Sequence, residues 1–185
     1  MKEHKFTLTP AQLSVTALMT AVMCVLGPLS VPIGAVPISL TNLVICLAAC
    51  LLGARLGTLS VLVYLLLGAV GLPVFSGYGA GLAKLAGPTG GYLVGFLLTA
   101  CIGGWFIEHS NGRPLPSAVG LALGIAASYV LGTAWFVIQM QCDLGYALTV
   151  CVWPFIPFDL LKIAVSVPLG ALIRRRLLQA GLLRL

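Results

Sequence analysis

Long apolar runs alternate with short polar segments along the whole chain. Asp, Glu, Lys and Arg are absent from four runs, which cover residues 6–54, 56–83, 85–107 and 114–142. A helix that crosses the hydrocarbon core of a bilayer needs about 20 apolar residues, and each run is long enough for at least one such helix. The pattern therefore predicts an all-α membrane protein.

Glycine and proline divide these runs into six predicted transmembrane helices. The segment GPLSVPIGAVP at residues 27–37 splits the first run into two spans. The second of these is short for a full crossing, and a short segment beside a Gly/Pro-rich one is typical of irregular backbone that lines a cavity. We expect a single transmembrane domain over residues 1–185, with spans near residues 12–29, 39–53, 56–72, 90–107, 117–138 and 146–173.

The composition leaves little room for a soluble domain. Of the 185 residues, 60% are hydrophobic and 8% are charged, and the mean hydropathy is +1.12. Soluble domains carry roughly 25% charged residues. A soluble protein with a very apolar core would need a polar surface that this sequence lacks.

The net charge of +6 fits the orientation rule of membrane proteins. With six spans and a cytoplasmic N-terminus, the outer side keeps only Lys84, which is the bias that positive cytoplasmic loops produce. A basic patch on a soluble face, the usual footprint of nucleic-acid binding, is not seen. We expect a multi-pass protein of the cytoplasmic membrane, in contact with lipid and not with nucleic acid, and with both termini in the cytoplasm. The predicted cytoplasmic cations are Lys2, Lys5, Arg55, Arg113, Arg174, Arg175, Arg176 and Arg184.

Three segments rich in glycine or proline fall on the outer side in this topology. They cover residues 27–42, 71–96 and 153–162, and the second reads GLPVFSGYGAGLAKLAGPTGGYLVGF. Glycine lets backbone approach a small ligand closely and lets a loop close over it. The convergence of the three segments favours a ligand pocket that opens outward.

The most specific candidate chemistry is an acid and a base inside the last predicted span. Asp159 and Lys162 are three residues apart, so a helix places them on one face. Each is costly inside a bilayer, at about 2.5–3.5 kcal/mol, and Pro154 and Pro157 loosen the backbone before them. The two either form a structural ion pair or bind a ligand with donors for Asp159 and acceptors for Lys162.

Other candidates are weaker. Ser39 and Asn42 either hydrogen-bond a ligand or join helices, and Tyr92 either stacks on a ligand or lies in an interfacial aromatic belt. Ala17 and Ala21 are four residues apart on the first span. They present a small-residue face that a partner helix could approach closely, although the pattern is common.

Several chemistries lack their motifs. The sequence contains no G-x-x-x-x-G-K-[ST] phosphate loop, and its six cysteines include no C-x-x-C. The cysteines are interpreted as small apolar residues. No nucleophile with a neighbouring base is apparent. We therefore expect no enzymatic activity, no metal and no cofactor.

Four segments resemble the BioY family, the biotin-binding S-components of energy-coupling factor (ECF) transporters. They are GLPVF at residues 71–75, GPTGGYLVGF at 87–96, PFDLLK at 157–162 and VPISLTN at 36–42. The Gly-Pro-Thr-Gly-Gly-Tyr run is long and specific, and the resemblance covers nearly the whole chain. It implies an ECF S-component-like bundle of six transmembrane helices that binds biotin with high affinity and serves its uptake as the substrate-specificity subunit.

The resemblance also implies partners and residue roles. Energy would come from a transmembrane coupling subunit with two ABC-type ATPase subunits, and docking would use Ala17 and Ala21. Asp159 would accept the two N–H groups of the ureido ring, and Lys162 would donate to the ureido oxygen or steady Asp159. The other implied ligand contacts are Tyr92 and Phe75 for the apolar parts, Lys84 with the loop containing Gly87 and Thr89 for the carboxylate, and Ser39 and Asn42.

Three alternatives remain open from the sequence. An S-component for another vitamin is a near neighbour of the implied function. A self-contained secondary transporter of a small solute would move its substrate without ATP or a partner. A structural membrane subunit would bind no small molecule.

Overall fold

The computed structural model describes residues 9–31 and 37–181. Lys2, Lys5 and Arg184, which entered the prediction of topology, lie outside the described residues, as does Val36 of the VPISLTN segment. Within the described residues, the helices are α1 Pro10–Leu26, α2 Thr41–Ala69, α3 Gly81–Ala86, α4 Gly90–His109, α5 Pro114–Met140, α6 Leu144–Cys151 and α7 Ile156–Gln179, with strands β1 Ser30–Val31 and β2 Ile38–Ser39 and a 3-10 turn at Ser76–Tyr78.

The chain is a helical membrane protein. Among the described residues, α2, α4, α5 and α7 are long and apolar enough to cross a membrane by length and composition, and α1 is a shorter apolar helix. Large apolar side chains on the outside of the bundle are widely exposed, Leu18, Val130 and Ile138 among them, as expected of surfaces that face lipid. The predicted class is confirmed, although the antiparallel pairing of β1 with β2 was not predicted.

α2 reverses direction at Gly53. This residue has φ 75° and ψ −166°, a conformation that is essentially restricted to glycine. A Cβ on Gly57 would lie 3.4 Å from the Ala48 carbonyl oxygen, an approach that a straight helix cannot make across nine residues of rise. The halves of α2 on either side of Gly53 therefore pack against each other, and the predicted spans 39–53 and 56–72 correspond to them.

The predicted span over residues 146–173 is divided in the structure. α6 ends at Cys151, a turn follows, and α7 begins at Ile156 and continues to Gln179. Pro157 lies in the first turn of α7, where no intrahelical N–H donor is needed. The prolines thus separate two helices where the sequence predicted one span.

Close packing of α4 on α5 forms the centre of the bundle. A Cβ on Gly124 would meet the backbone of Thr99 at 2.9 Å, and the Thr99 hydroxyl donates to the Gly124 carbonyl at 3.2 Å. Small residues let helix backbones approach this closely. Close packing therefore fixes the relative positions of the side chains that α4 and α5 direct into the interior.

The bundle has two distinct ends. One is formed by the end of α1, both ends of α2, the starts of α4 and α7 and the end of α5, and we call it the cavity end. The other contains the reversal of α2 with the end of α4, the start of α5 and the end of α7, and we call it the Gly53 end. The paired strands β1 and β2, together with α3 and α6, lie at the cavity end.

Candidate functional site

A cavity with two adjoining lobes lies at the cavity end. The first, which we call the ion-pair lobe, has an empty volume of ≈ 470 Å³ including its opening, and the second, the lysine lobe, has ≈ 380 Å³. Four residues line both lobes and so mark where they join: Pro37, Ser39, Tyr92 and Phe96.

The polar centre of the ion-pair lobe is the carboxylate of Asp159, which is 5% exposed. Lys162 Nζ lies 2.9 Å from Asp159 Oδ1, and the Tyr129 hydroxyl donates to Asp159 Oδ2 at 2.5 Å. A buried carboxylate is tolerated when it is paired and hydrogen-bonded. Both oxygens of Asp159 therefore have partners, one from its own helix and one from α5.

The start of α7 sets the position of this carboxylate. Asp159 lies in the first turn of α7, and its backbone N–H donates to the Phe155 carbonyl at 2.8 Å. The N-terminal end of a helix carries partial positive charge, which favours a carboxylate there. Lys162 follows one turn later, so that the pair faces the cavity together.

Apolar side chains surround the polar centre. Phe96, Ile125 and Phe155 line the ion-pair lobe. Tyr92 lines both lobes with its ring, while its hydroxyl forms a 2.8 Å hydrogen bond with Thr133. An apolar wall with a few fixed polar groups is the usual construction of a small-ligand site.

Asn42 and Ser39 reach the cavity from the start of α2 and from β2. Both line the ion-pair lobe. The Oδ1 atom of Asn42 is buried and has no hydrogen-bond partner among the described residues. Ser39 donates to Thr41 Oγ1 at 3.0 Å.

The lysine lobe joins the segment after α2 to the start of α4. Phe75, Lys84 and Thr89 line it together with Ser76. Phe75 is fully buried and packs edge-on against Tyr64, with ring centroids 5.5 Å apart. Lys84 lies in the last turn of α3 and places a cation in this lobe.

One predicted site residue is not among those that line the cavity. Gly87 is the residue that caps the C-terminal end of α3. Its carbonyl oxygen accepts a 2.9 Å hydrogen bond from the Trp135 indole. The neighbouring Ala86 carbonyl accepts from Gln139 Nε2 at 3.0 Å. The end of α3 is thereby attached to α5.

Several residues that line the cavity were not predicted from the sequence, above all Tyr129. Its signal in the sequence is the adjacent pair Ser128 and Tyr129, two polar side chains in the middle of the apolar run 114–142. Both line the ion-pair lobe, as does Cys151 from α6. The contact of Tyr129 with Asp159 on α7 is tertiary, and the spacing of residues along α5 does not predict it.

The predicted docking residues lie on the outside of α1. Ala17 and Ala21 are exposed, and the exposed side chains of Leu13, Leu18 and Val25 flank them. The opposite face of α1 is buried through Thr16, Met19, Thr20 and Met23. The small-residue face is therefore free of contacts with the described part of the chain's own bundle.

No group of three or more His, Cys, Asp or Glu side chains in residues 9–31 and 37–181 is arranged to hold a metal ion. The six cysteines are all free. The chemistry that the described site offers is hydrogen bonding and charge pairing inside an apolar cavity.

Comparison with known proteins gives the same picture across the chain. Biotin transporter BioY2 of Lactococcus lactis subsp. cremoris (strain MG1363) is 37% identical over 163 residues, which are 88% of this chain and 90% of the relative. Biotin transporter BioY of Thermotoga maritima (strain ATCC 43589 / DSM 3109 / JCM 10099 / NBRC 100826 / MSB8) is 41% identical over 156 residues, 84% of this chain and 90% of the relative.

The fold of the chain is also similar to that of a solved structure. The crystal structure at 2.1 Å of the S-component for biotin from an ECF-type ABC transporter superposes with a TM-score of 0.84 at 32% identity, covering 91% of this chain and 95% of that one. The sequence matches the BioY family over residues 1–179. Together with relatives of this identity over most of their length, the match shows that the chain belongs to the BioY family.

Proposed function

We propose that the chain is the biotin-binding, substrate-specificity subunit of an ECF-type ABC transporter in the cytoplasmic membrane, and that it serves high-affinity uptake of biotin. The observation that carries the proposal is the buried Asp159 carboxylate, paired with Lys162, at one end of an apolar two-lobed cavity. The names of its relatives and of the solved S-component point to the same ligand. Biotin is cargo here, and the chain acts as a transport protein, not as an enzyme.

The ureido ring of biotin matches the polar centre of the ion-pair lobe. It has two N–H donors and one carbonyl acceptor. An ionised carboxylate has about four lone-pair sites, and an ammonium group has three N–H donors. With two sites of Asp159 taken by Lys162 and Tyr129, two remain for the N–H groups, and Lys162 keeps donors for the carbonyl oxygen. Ser39 and Asn42 line the same lobe.

We place the valeryl chain and the carboxylate of biotin in the lysine lobe. The aliphatic chain of biotin would pass Tyr92 and Phe75, and its carboxylate would reach the lobe that contains Lys84. Thr89 lines the same lobe. The backbone around Gly87 would form a fixed edge of this lobe, because hydrogen bonds from α5 hold the end of α3 in place.

The topology that goes with this function has six membrane-crossing segments. They are α1, the two halves of α2, α4, α5 and α7. The cavity end would face the outside and the Gly53 end the cytoplasm, with both termini on the cytoplasmic side. The exposed Arg175 and Arg176 near the end of α7 support this orientation, because cationic residues are retained on the cytoplasmic side.

The proposed partners are a transmembrane coupling subunit and two ABC-type ATPase subunits. The exposed face of α1 around Ala17 and Ala21 is the proposed docking surface, because small side chains permit close approach of a partner helix. The absence of a phosphate loop from the sequence fits an energy source in the partners.

Ligand-dependent thermal stabilisation of the purified chain in detergent, measured across a panel of vitamins, tests the function. We expect biotin to raise the unfolding midpoint and the other vitamins to leave it unchanged, because only ligand that binds the folded state stabilises it. Stabilisation by a different vitamin would assign another substrate. Stabilisation by none would favour a structural subunit, and ATP-independent uptake into liposomes by the chain alone would favour a secondary transporter.

The docking surface has a separate test. Replacing Ala17 and Ala21 together by Trp adds bulk that holds a partner helix away, so we expect loss of energised uptake and of co-purification with the coupling subunit. Biotin binding should survive, because the face lies outside the cavity. The matched control replaces Ala122 and Ala126 by Trp, since these are two exposed alanines four residues apart on α5. Intact co-purification of the alanine variant would exclude this face as the docking surface.

A further inference from the structure

We propose that Tyr129 is a positioning residue that holds the Asp159 carboxylate in the orientation in which it accepts the ligand. The inference rests on the proposed function and adds a residue that the sequence analysis did not identify. Its basis is the 2.5 Å hydrogen bond from the Tyr129 hydroxyl to Asp159 Oδ2. This distance is at the short end for a hydroxyl that donates to a carboxylate.

The two partners of Asp159 differ in what they attach it to. Lys162 lies three residues along the same helix, so their contact moves with α7 and does not fix the carboxylate relative to the rest of the bundle. Tyr129 lies on α5. Among the hydrogen bonds of the described residues, the bond from Tyr129 is the one that joins the Asp159 side chain to another helix.

α5 is the helix that can provide a fixed reference. It packs closely along α4, with Gly132 against the Tyr92 ring and Gly95 against Ser128. Ser128 and Tyr129 both line the ion-pair lobe. The hydroxyl of Tyr129 therefore ties the start of α7 to the part of the bundle that also positions Tyr92.

The site also selects for hydrogen-bond donors. An ionised carboxylate only accepts hydrogen bonds, and with the Tyr129 hydroxyl and the Lys162 ammonium donating to it, Asp159 offers its remaining acceptor sites to a ligand. A ligand with N–H donors at this point is accepted. A ligand with a carbonyl or ether oxygen there would meet an acceptor with no hydrogen to share, which leaves buried polar groups unpaired.

The decisive experiment is a double-mutant cycle on biotin affinity, measured by isothermal titration in detergent. Tyr129→Phe removes the hydroxyl and keeps the ring. We expect it to weaken biotin binding by about 3- to 10-fold, the range that corresponds to ordering one freed side chain on binding. In the Asp159→Asn background, Tyr129→Phe should change affinity by less than about 2-fold, because its effect acts through the carboxylate.

Tyr64→Phe is the matched control. Tyr64 is fully buried and donates a 3.0 Å hydrogen bond to the Val74 carbonyl, but it is not among the residues that line either lobe. It should lower thermal stability without weakening biotin binding. A Tyr129 variant that weakens binding only as much as it lowers stability, in parallel with this control, would have a structural role alone.

The outcomes separate this inference from the proposed function. If wild-type protein binds biotin and Tyr129→Phe binds it equally or more tightly, the positioning role is overturned and the function stands. Equal losses from Tyr129→Phe in the wild-type and Asp159→Asn backgrounds would also overturn the role, because the hydroxyl would then act independently of Asp159. If wild-type protein does not bind biotin, the proposed function itself fails.

Discussion

The Gly53 end and the cavity end of the bundle differ in how they join consecutive helices. At the Gly53 end, α2 reverses without a loop, and two charged side chains complete the broken helix. Glu108 Oε1 accepts the Ala54 N–H at 3.0 Å, and Arg174 Nη1 donates to the Cys50 carbonyl at 3.4 Å. A carboxylate at the start of one half-helix and a guanidinium at the end of the other both complement the helix dipole.

At the cavity end, separate segments join the helices, and three charged side chains line the cavity. Asp159 and Lys162 pair on the cavity wall, and Lys84 lines the lysine lobe. Backbone carbonyls at the end of α3 are held by the neutral side chains of Trp135 and Gln139. The Gly53 end uses charge to cap its own half-helices, and the cavity end places three charged side chains on a cavity wall.

The largest expected effect concerns the glycines of the two ends. Gly53→Ala should lower the free energy of unfolding by about 3 kcal/mol, because the backbone conformation is strained for alanine and a Cβ there would overlap the Glu108 carboxylate. Gly77→Ala is the matched control at the cavity end: its φ is 67° and no atom lies within 4 Å of the added Cβ. It should cost about 1 kcal/mol. Denaturation with SDS in mixed micelles measures both, and equal costs would contradict the comparison.

The next effect concerns binding at the cavity end. Asp159→Asn should weaken biotin binding by about 2 kcal/mol, the scale of a lost charge-assisted hydrogen bond, with folding largely intact. Asp143→Asn serves as a control, since Asp143 also lies at this end and its Oδ2 accepts the Gly145 N–H at 2.7 Å. Titration calorimetry should show wild-type affinity for that control. Unchanged affinity of the Asp159 variant would remove it from the site.

A smaller effect is expected from the charge that caps the reversal. Glu108→Ala should lower the free energy of unfolding by about 1 kcal/mol, the usual cost of losing a helix cap, while biotin affinity stays at the wild-type value. Glu108→Gln keeps an acceptor oxygen for the Ala54 N–H and should recover most of the loss. Weaker biotin binding by a well-folded Glu108→Ala protein would show that the two ends are not independent.

The smallest effect concerns the cation of the lysine lobe. Lys84→Ala should weaken biotin by about 0.5–1 kcal/mol, as for a partly solvated ion pair, and should hardly affect the uncharged amide of biotin. Calorimetry with both ligands measures the difference. Equal losses for the acid and the amide would show that Lys84 does not bind the carboxylate.

Much of the helical architecture could be predicted because it depends on local properties of the sequence. Apolar runs without charge specify membrane helices wherever they occur, and this class is confirmed. The spacing of Asp159 and Lys162 placed both on one helix face, and the structure brings them to 2.9 Å. Their role in binding stays a prediction, as do the roles of the other candidate residues.

The features that could not be predicted depend on contacts between distant parts of the chain. The sequence predicted Arg174 only as a cytoplasmic cation and gave no role to Glu108, and the fold brings both to the ends of the two half-helices. Tyr129 reaches Asp159 across 30 positions. Pro154 and Pro157 could be seen as helix-disturbing, but the sequence does not decide between a kink and the observed division into α6 and α7.

The reversal at Gly53 has a consequence for how the chain enters a membrane. The half of α2 from Thr41 to Gly53 is about 20 Å long at 1.5 Å per residue, shorter than the hydrocarbon core of about 30 Å. Its side chains are mostly buried within the bundle, so it has few lipid contacts of its own. Insertion of such a segment into the bilayer as an independent helix is unfavourable. We expect it to partition into the bilayer together with the half that follows, as one helical hairpin during biogenesis.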